Sequence, residues 1–128
     1  MRVAYLDSSA FVKTVVREAE SDRLAGWLED WPRRSSCELL RTEAVRAVRK
    51  HGEAAIERAR SEFGSVDLAR IDRTLLESAA DLPVDVRSLD AIHLAAAQAI
   101  GPDLGVLVTY DERMARAAAE LGIEVVSP

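Results

Sequence analysis

Short apolar runs alternate along the chain with longer stretches in which apolar residues recur every three or four positions. That alternation predicts strands separated by amphipathic helices. The run VAYL at 3–6 reads as a strand and 9–17 as a short helix. A second helix, 21–30, carries Leu24, Trp27 and Leu28 at helical spacing and is broken by Pro32. A short segment around Ser35 and Ser36 leads into a helix over 38–51 that Gly52 ends, and 53–63 makes another, closed by Gly64. Residues 66–69 read as a strand, and 74–80 as a helix that stops before Pro83. Ser88 is the expected cap of a strongly apolar helix over 89–100, which Gly101 and Pro102 terminate. The chain closes with strand 106–110, helix 111–121 and strand 124–126. Strands separated by helices pair in parallel, so the expected fold is α/β, with a small, mainly parallel sheet layered between helices in a single domain over 1–128.

Composition changes this picture little. A chain of 128 residues is long enough for one core, and 48% hydrophobic with 30% charged residues is ordinary for a soluble protein. No apolar run approaches the roughly 18 to 20 residues of a membrane helix, and MRVAYLD has no signal-peptide character. The one cysteine, Cys37, suits a reducing cytoplasm. Cys37, His51 and His93 show no zinc-ligand spacing. A net charge of −5 argues against wrapping a polyanion. It is unevenly spread, however: Arg33, Arg34, Arg41, Arg46, Arg49 and Lys50 face only Glu38 and Glu43 over 33–50, a local balance of +4. A solvated helix face and a basic patch both account for that run.

Four carboxylates stand where chemistry is usually placed. Asp7 ends the first strand, where open α/β sheets carry their sites. It also reads as a helix cap, but Ser8 and Ser9 each offer a cap without it, which leaves Asp7 spare. Asp111 follows the strand 106–110 and opens the next helix, so capping accounts for it as well as a site role does. Asp90 lies in RSLDAIHLAAAQAI, apolar on nearly every face, and so should be largely buried. The helix dipole offsets only about 0.3–1 kcal/mol of that cost, so Asp90 needs a cation, either Arg87 or a metal ion. His93, on the same face, reads as a hydrogen-bonding core residue. Glu43 falls on the flank of an apolar stripe formed by Leu40, Ala44, Ala47 and Val48.

Carboxylates gathered this way need protonation or a divalent cation. With oxygen donors alone, Mg²⁺ or Mn²⁺ suits the set better than zinc, and carboxylate-bound Mg²⁺ typically serves phosphate-ester chemistry. No G-x-S-x-G, P-loop or Cys–His arrangement points to another mechanism. The segments YLDSSAFVK, SCELLRTEAVRAVRK, VRSLDAIHLAAA and VTYDERMARAAAELGIEVVSP, taken together and in order, resemble the PIN-domain ribonucleases, and more narrowly the VapC toxins of toxin–antitoxin pairs.

That resemblance implies a three-layer α/β/α PIN-like fold and a Mg²⁺- or Mn²⁺-dependent endoribonuclease. It implies Asp7 and Asp90 as direct metal ligands, with Glu43 and Asp111 completing the site. It further implies Ser8 or Ser9 as support for Asp7, and Thr109 as support for Asp111. It implies an inhibitory VapB-type antitoxin, an RNA substrate and homodimerisation. Trp27, Trp31 and the Leu39–Leu40 region are candidates for either protein surface, and equally for plain core packing. Two other readings stay open: a non-catalytic interaction module, and a metal-dependent phosphatase. The haloacid-dehalogenase form of the latter lacks its second aspartate, since Ser9 stands there. A response-regulator receiver lacks its late lysine, none occurring after Lys50.

Overall fold

The computed structural model describes residues 2–128. Five strands, β1 (Val3–Leu6), β2 (Arg34–Cys37), β3 (Asp67–Ala69), β4 (Leu104–Val108) and β5 (Val125–Val126), form one sheet in the order β3-β2-β1-β4-β5. Every pairing is parallel. The helices are α1 (Ser8–Val15), α2 (Ser21–Leu28), α3 (Leu40–Val48), α4 (Glu53–Glu62), α5 (Arg73–Ala80), α6 (Ser88–Ala99) and α7 (Glu112–Glu120).

Side chains alternate across β1, and each set meets a different helical layer. Tyr5 joins Cys37 and Leu107 under α5, α6 and α7. Ala4 and Leu6 join Val106 and Val108 beneath Ala10 of α1 and Leu24 and Leu28 of α2. A third cluster packs α1, α3 and α4 around Phe11, Leu40, Ala44 and Phe63. Three layers result, as expected, with a wholly parallel sheet.

Several local expectations are corrected. RSSC at 34–37 is a buried central strand, although its hydroxyls read as a connector. Strand β4 begins at Leu104 and stops before Thr109. Ser88 is the first residue of α6 and caps nothing; Arg87 takes the cap position with no side-chain bond. In α3 the buried stripe is Leu40, Ala44, Val45 and Val48, with Ala47 exposed. Trp27 and Trp31 stack 5.2 Å apart and pack on the β1–β4 core. Gly105 is needed there, because a Cβ on it would stand 2.5 Å from the Trp31 ring. Leu40 is fully buried, so core packing accounts for that side chain.

The sheet order defines a crevice. Neighbours run outward from β1 in opposite directions, through β2 to β3 and through β4 to β5. Chain connections therefore diverge at the carboxyl ends of β1 and β4 and leave a crevice there. Asp7 follows β1, and Thr109 and Asp111 follow β4.

Candidate active site

Asp7 is 4% exposed, and its carboxylate is held by three donors. Ser9 Oγ and the Ala10 amide donate to Oδ1 at 2.6 and 3.0 Å. Thr109 Oγ1 donates to Oδ2. Asp7 therefore caps α1 itself, and the expectation that a serine would cap in its place is wrong. The physical reason is that Ser9 is already committed, donating to Asp7 and accepting from the Tyr110 amide at 2.9 Å. No bond from Ser8 to Asp7 occurs among the described contacts; Ser8 lines a neighbouring groove. Burial raises the Asp7 pKa above its ordinary value, against the lowering effect of the Ser9, Thr109 and Ala10 bonds.

Thr109 was expected to support Asp111, yet its hydroxyl serves the Asp7 carboxylate. It is linked to Asp111 through the backbone, accepting from the Asp111 amide at 3.1 Å. One threonine thus ties the two strand-end acids together. Asp111 caps α7, with Oδ1 accepting from the Arg113 and Met114 amides at 2.9 and 3.1 Å. Its Oδ2 points to Arg87, 3.8 Å away.

Glu43 projects from the half-buried flank of α3, and its partner is His93. Nε2 donates to Glu43 Oε1 at 2.6 Å, while Nδ1 lies 2.8 Å from Tyr5 Oη and 3.7 Å from Cys37 Sγ. His93 is 1% exposed. Burial disfavours its charged form, but contacts with Cys37 and Glu43 outweigh that and raise its pKa from 6.5 to about 10. The shift favours the cationic ring, the form in which both nitrogens are donors. His93 is a hydrogen-bonding core residue, as the apolar face of α6 implies, and Glu43 is a partner that this local pattern does not reveal.

Asp90 sits in the first turn of α6, its side chain 17% exposed. Its Oδ2 is buried and has no hydrogen-bond partner. The expected cation is Arg87, whose Nε lies 3.5 Å from Oδ2, an ion pair too long for a good hydrogen bond. Asp90 and Glu43 line one hollow of about 350 Å³ with Arg87, Ser88 and Leu89. Ser8, Ser9, Ala47 and Tyr110 line a second hollow of about 380 Å³. Further hollows of about 390 and 350 Å³ lie away from the carboxylates, against α1–α2 and between α5 and α6. Of the basic run, Arg46, Arg49 and Lys50 are exposed. Arg34 instead binds the Leu28 and Trp31 carbonyls, and Arg41 pairs with Glu38.

Among the described residues, no group of three or more His, Cys, Asp or Glu side chains is placed to hold a metal ion. Mg²⁺ does not require such a group; it keeps several waters and takes one or two carboxylates plus phosphate oxygens. An all-oxygen donor set with one buried, unpartnered oxygen on Asp90 fits that habit. Among the described residues no helix is long and apolar enough to cross a membrane.

A sequence model of the PIN domain matches residues 4–120. The chain is 48% identical over 129 residues to Ribonuclease VapC46 of Mycobacterium tuberculosis, covering 100% of this chain and 99% of that one. Its fold matches the crystal structure of M. tuberculosis VapC20, described as a sarcin-ricin loop cleaving toxin, with a TM-score of 0.75, 16% identity and coverage of 98% and 99%. It likewise matches a chain of a toxin–antitoxin complex from Klebsiella pneumoniae, with a TM-score of 0.74, 22% identity and coverage of 98% and 97%.

Proposed function

The chain belongs to the PIN-domain family as a VapC-type ribonuclease toxin, and from that premise we propose that Asp7, Glu43, Asp90 and Asp111 form the site of a Mg²⁺- or Mn²⁺-dependent endoribonuclease. The observation that carries this reading is the buried Asp90 Oδ2, which has no hydrogen-bond partner and only a loose, exposed guanidinium 3.5 Å away, beside Glu43 in an open hollow. A lone buried carboxylate oxygen costs several kcal/mol in effective terms unless something cationic serves it.

Asp7 and Asp90 are the proposed metal ligands, with Glu43 and Asp111 completing the site. When bound, the ion would orient the RNA phosphate and favour ionisation of an attacking water. The chain's own residues hold the geometry for that chemistry. Ser9, Thr109 and the Ala10 amide fix both oxygens of Asp7. His93 fixes Glu43 through the bond from Nε2 to Oε1. Thr109 sets the spacing of Asp7 from Asp111. Exposed Arg46, Arg49 and Lys50 supply positive charge for an RNA backbone on an otherwise acidic protein. A VapB-type antitoxin is the proposed inhibitor, and a homodimer the proposed assembly.

The capping bonds of Asp7 and Asp111 favour a second reading, a non-catalytic interaction module in which these acids only end helices. One experiment separates the two. Protein freed of antitoxin and given Mn²⁺ or Mg²⁺ is incubated with total cellular RNA, and the new ends are mapped beside Asp90→Ala. The nuclease reading expects 5′-phosphate and 3′-hydroxyl ends that vanish in the variant and with chelator. Unchanged RNA, together with Asp90→Ala as toxic to cells as the wild type, would sink it.

A further inference from the structure

The four carboxylates are compensated unequally. Asp7 has three hydrogen-bond donors, Glu43 has His93, and Asp111 has two amides on Oδ1. For the buried Oδ2 of Asp90 and the Oδ2 of Asp111, the cation at hand is the same one, Arg87. Its guanidinium spans the two acids at 3.5 and 3.8 Å, each contact looser than a charge-assisted hydrogen bond.

Arg87 is built to let go. Its backbone is fixed at the start of α6, where its carbonyl accepts from the Ala91 amide at 2.9 Å. Its side chain makes no cap bond and is 73% exposed. The side chain can swing into water without disturbing the helix, and its departure uncovers oxygens from two different segments. Resting on the metal-dependent reading above, we propose that Arg87 is a resident counter-cation of the Asp90–Asp111 pair, which a divalent ion must displace. It thereby sets how much metal the site requires. The metal-free site stays electrostatically quiet, and metal entry frees an arginine beside the hollow lined by Glu43 and Asp90.

The test measures metal binding without RNA. Mn²⁺ is titrated calorimetrically into the wild type, Arg87→Gln, Arg87→Lys and Asp90→Asn. In parallel, Mg²⁺ is titrated into the wild type while the Arg87 Nε–H resonance is followed by NMR. Arg87→Gln is expected to bind Mn²⁺ about three- to tenfold tighter, the scale of two exposed ion pairs. The gap should widen at low salt, where such pairs are least screened. Arg87→Lys, a point charge that cannot span both acids, should fall between the two. Asp90→Asn should bind more weakly, and the Arg87 resonance should move in step with Mg²⁺ saturation. If Arg87→Gln binds no tighter, or the resonance stays fixed through saturation, the displacement idea fails while wild-type binding leaves the metal reading intact. If the wild type and every variant bind no Mn²⁺, both fall together.

Discussion

At the β1 end of the cluster, Asp7 is 4% exposed and takes three hydrogen bonds. At the α6 end, Asp90 keeps a buried oxygen with none and faces an exposed, loosely held guanidinium. The two carboxylates are linked through Arg87, Asp111 and Thr109, yet one is locked and the other left unfinished. The difference shows two ways in which one small domain keeps partly buried carboxylates compensated. One acid is frozen by neutral dipoles that cannot leave, and the other is balanced by a mobile charge that can.

The sharpest test of that contrast substitutes both acids. Asp7→Asn and Asp90→Asn should each lower RNA cleavage by about 10²–10³-fold, the scale on which one preorganised electrostatic group counts. Their melting curves should differ in kind. Because the folded Asp7 pKa is raised, its ionised form costs stability, and that cost vanishes as pH falls through the raised value. Asp7→Asn should therefore melt at or above the wild-type temperature near neutral pH and lose this acid-side dependence.

His93 tests the part of the site between the two ends. His93→Leu leaves Glu43 without its donor and should cost about 3 kcal/mol by urea denaturation. The wild type should also carry a pH signature. With a folded pKa near 10 against 6.5, the stability His93 contributes is complete below about pH 6.5 and is lost as pH rises towards 10. Urea midpoints from pH 6 to 10.5 should decline in the wild type and flatten in His93→Leu.

Smaller effects complete the comparison. Thr109→Val removes the donor to Asp7 and the acceptor of the Asp111 amide in one step, and should cost about 2 kcal/mol. Arg87→Gln, at the open end, should cost about 1 kcal/mol or less, the scale of its two loose ion pairs. Equal losses in these last two variants, by the same urea series, would dissolve the distinction between a locked end and an open one.

Much of this was legible in the chain. The run VAYL, the core of the late strand at 106–108, the apolar helix around His93 and the terminators between them follow from periodicity, because burial dictates those patterns. The need for a cation beside Asp90 followed from the cost of burying a lone carboxylate, and Arg87 is the residue found there. What escaped was long-range or polar. RSSC hides a central strand because small hydroxyl side chains pass equally for a turn. The His93–Glu43 pair joins residues 50 positions apart, and Thr109 reaches Asp7 across 102. Local capping logic also misassigned the serines, since nothing local says that Ser9 will be claimed by Asp7 and by the Tyr110 amide beyond β4.

The Thr109–Asp7 bond has a consequence for the order in which the fold can assemble. Asp7 follows the first strand and Thr109 follows the fourth, 102 positions later, so the aspartate gains its third donor only when two distant segments meet. Contacts of such long sequence separation form slowly, so the locked carboxylate is completed after the local helices rather than with them.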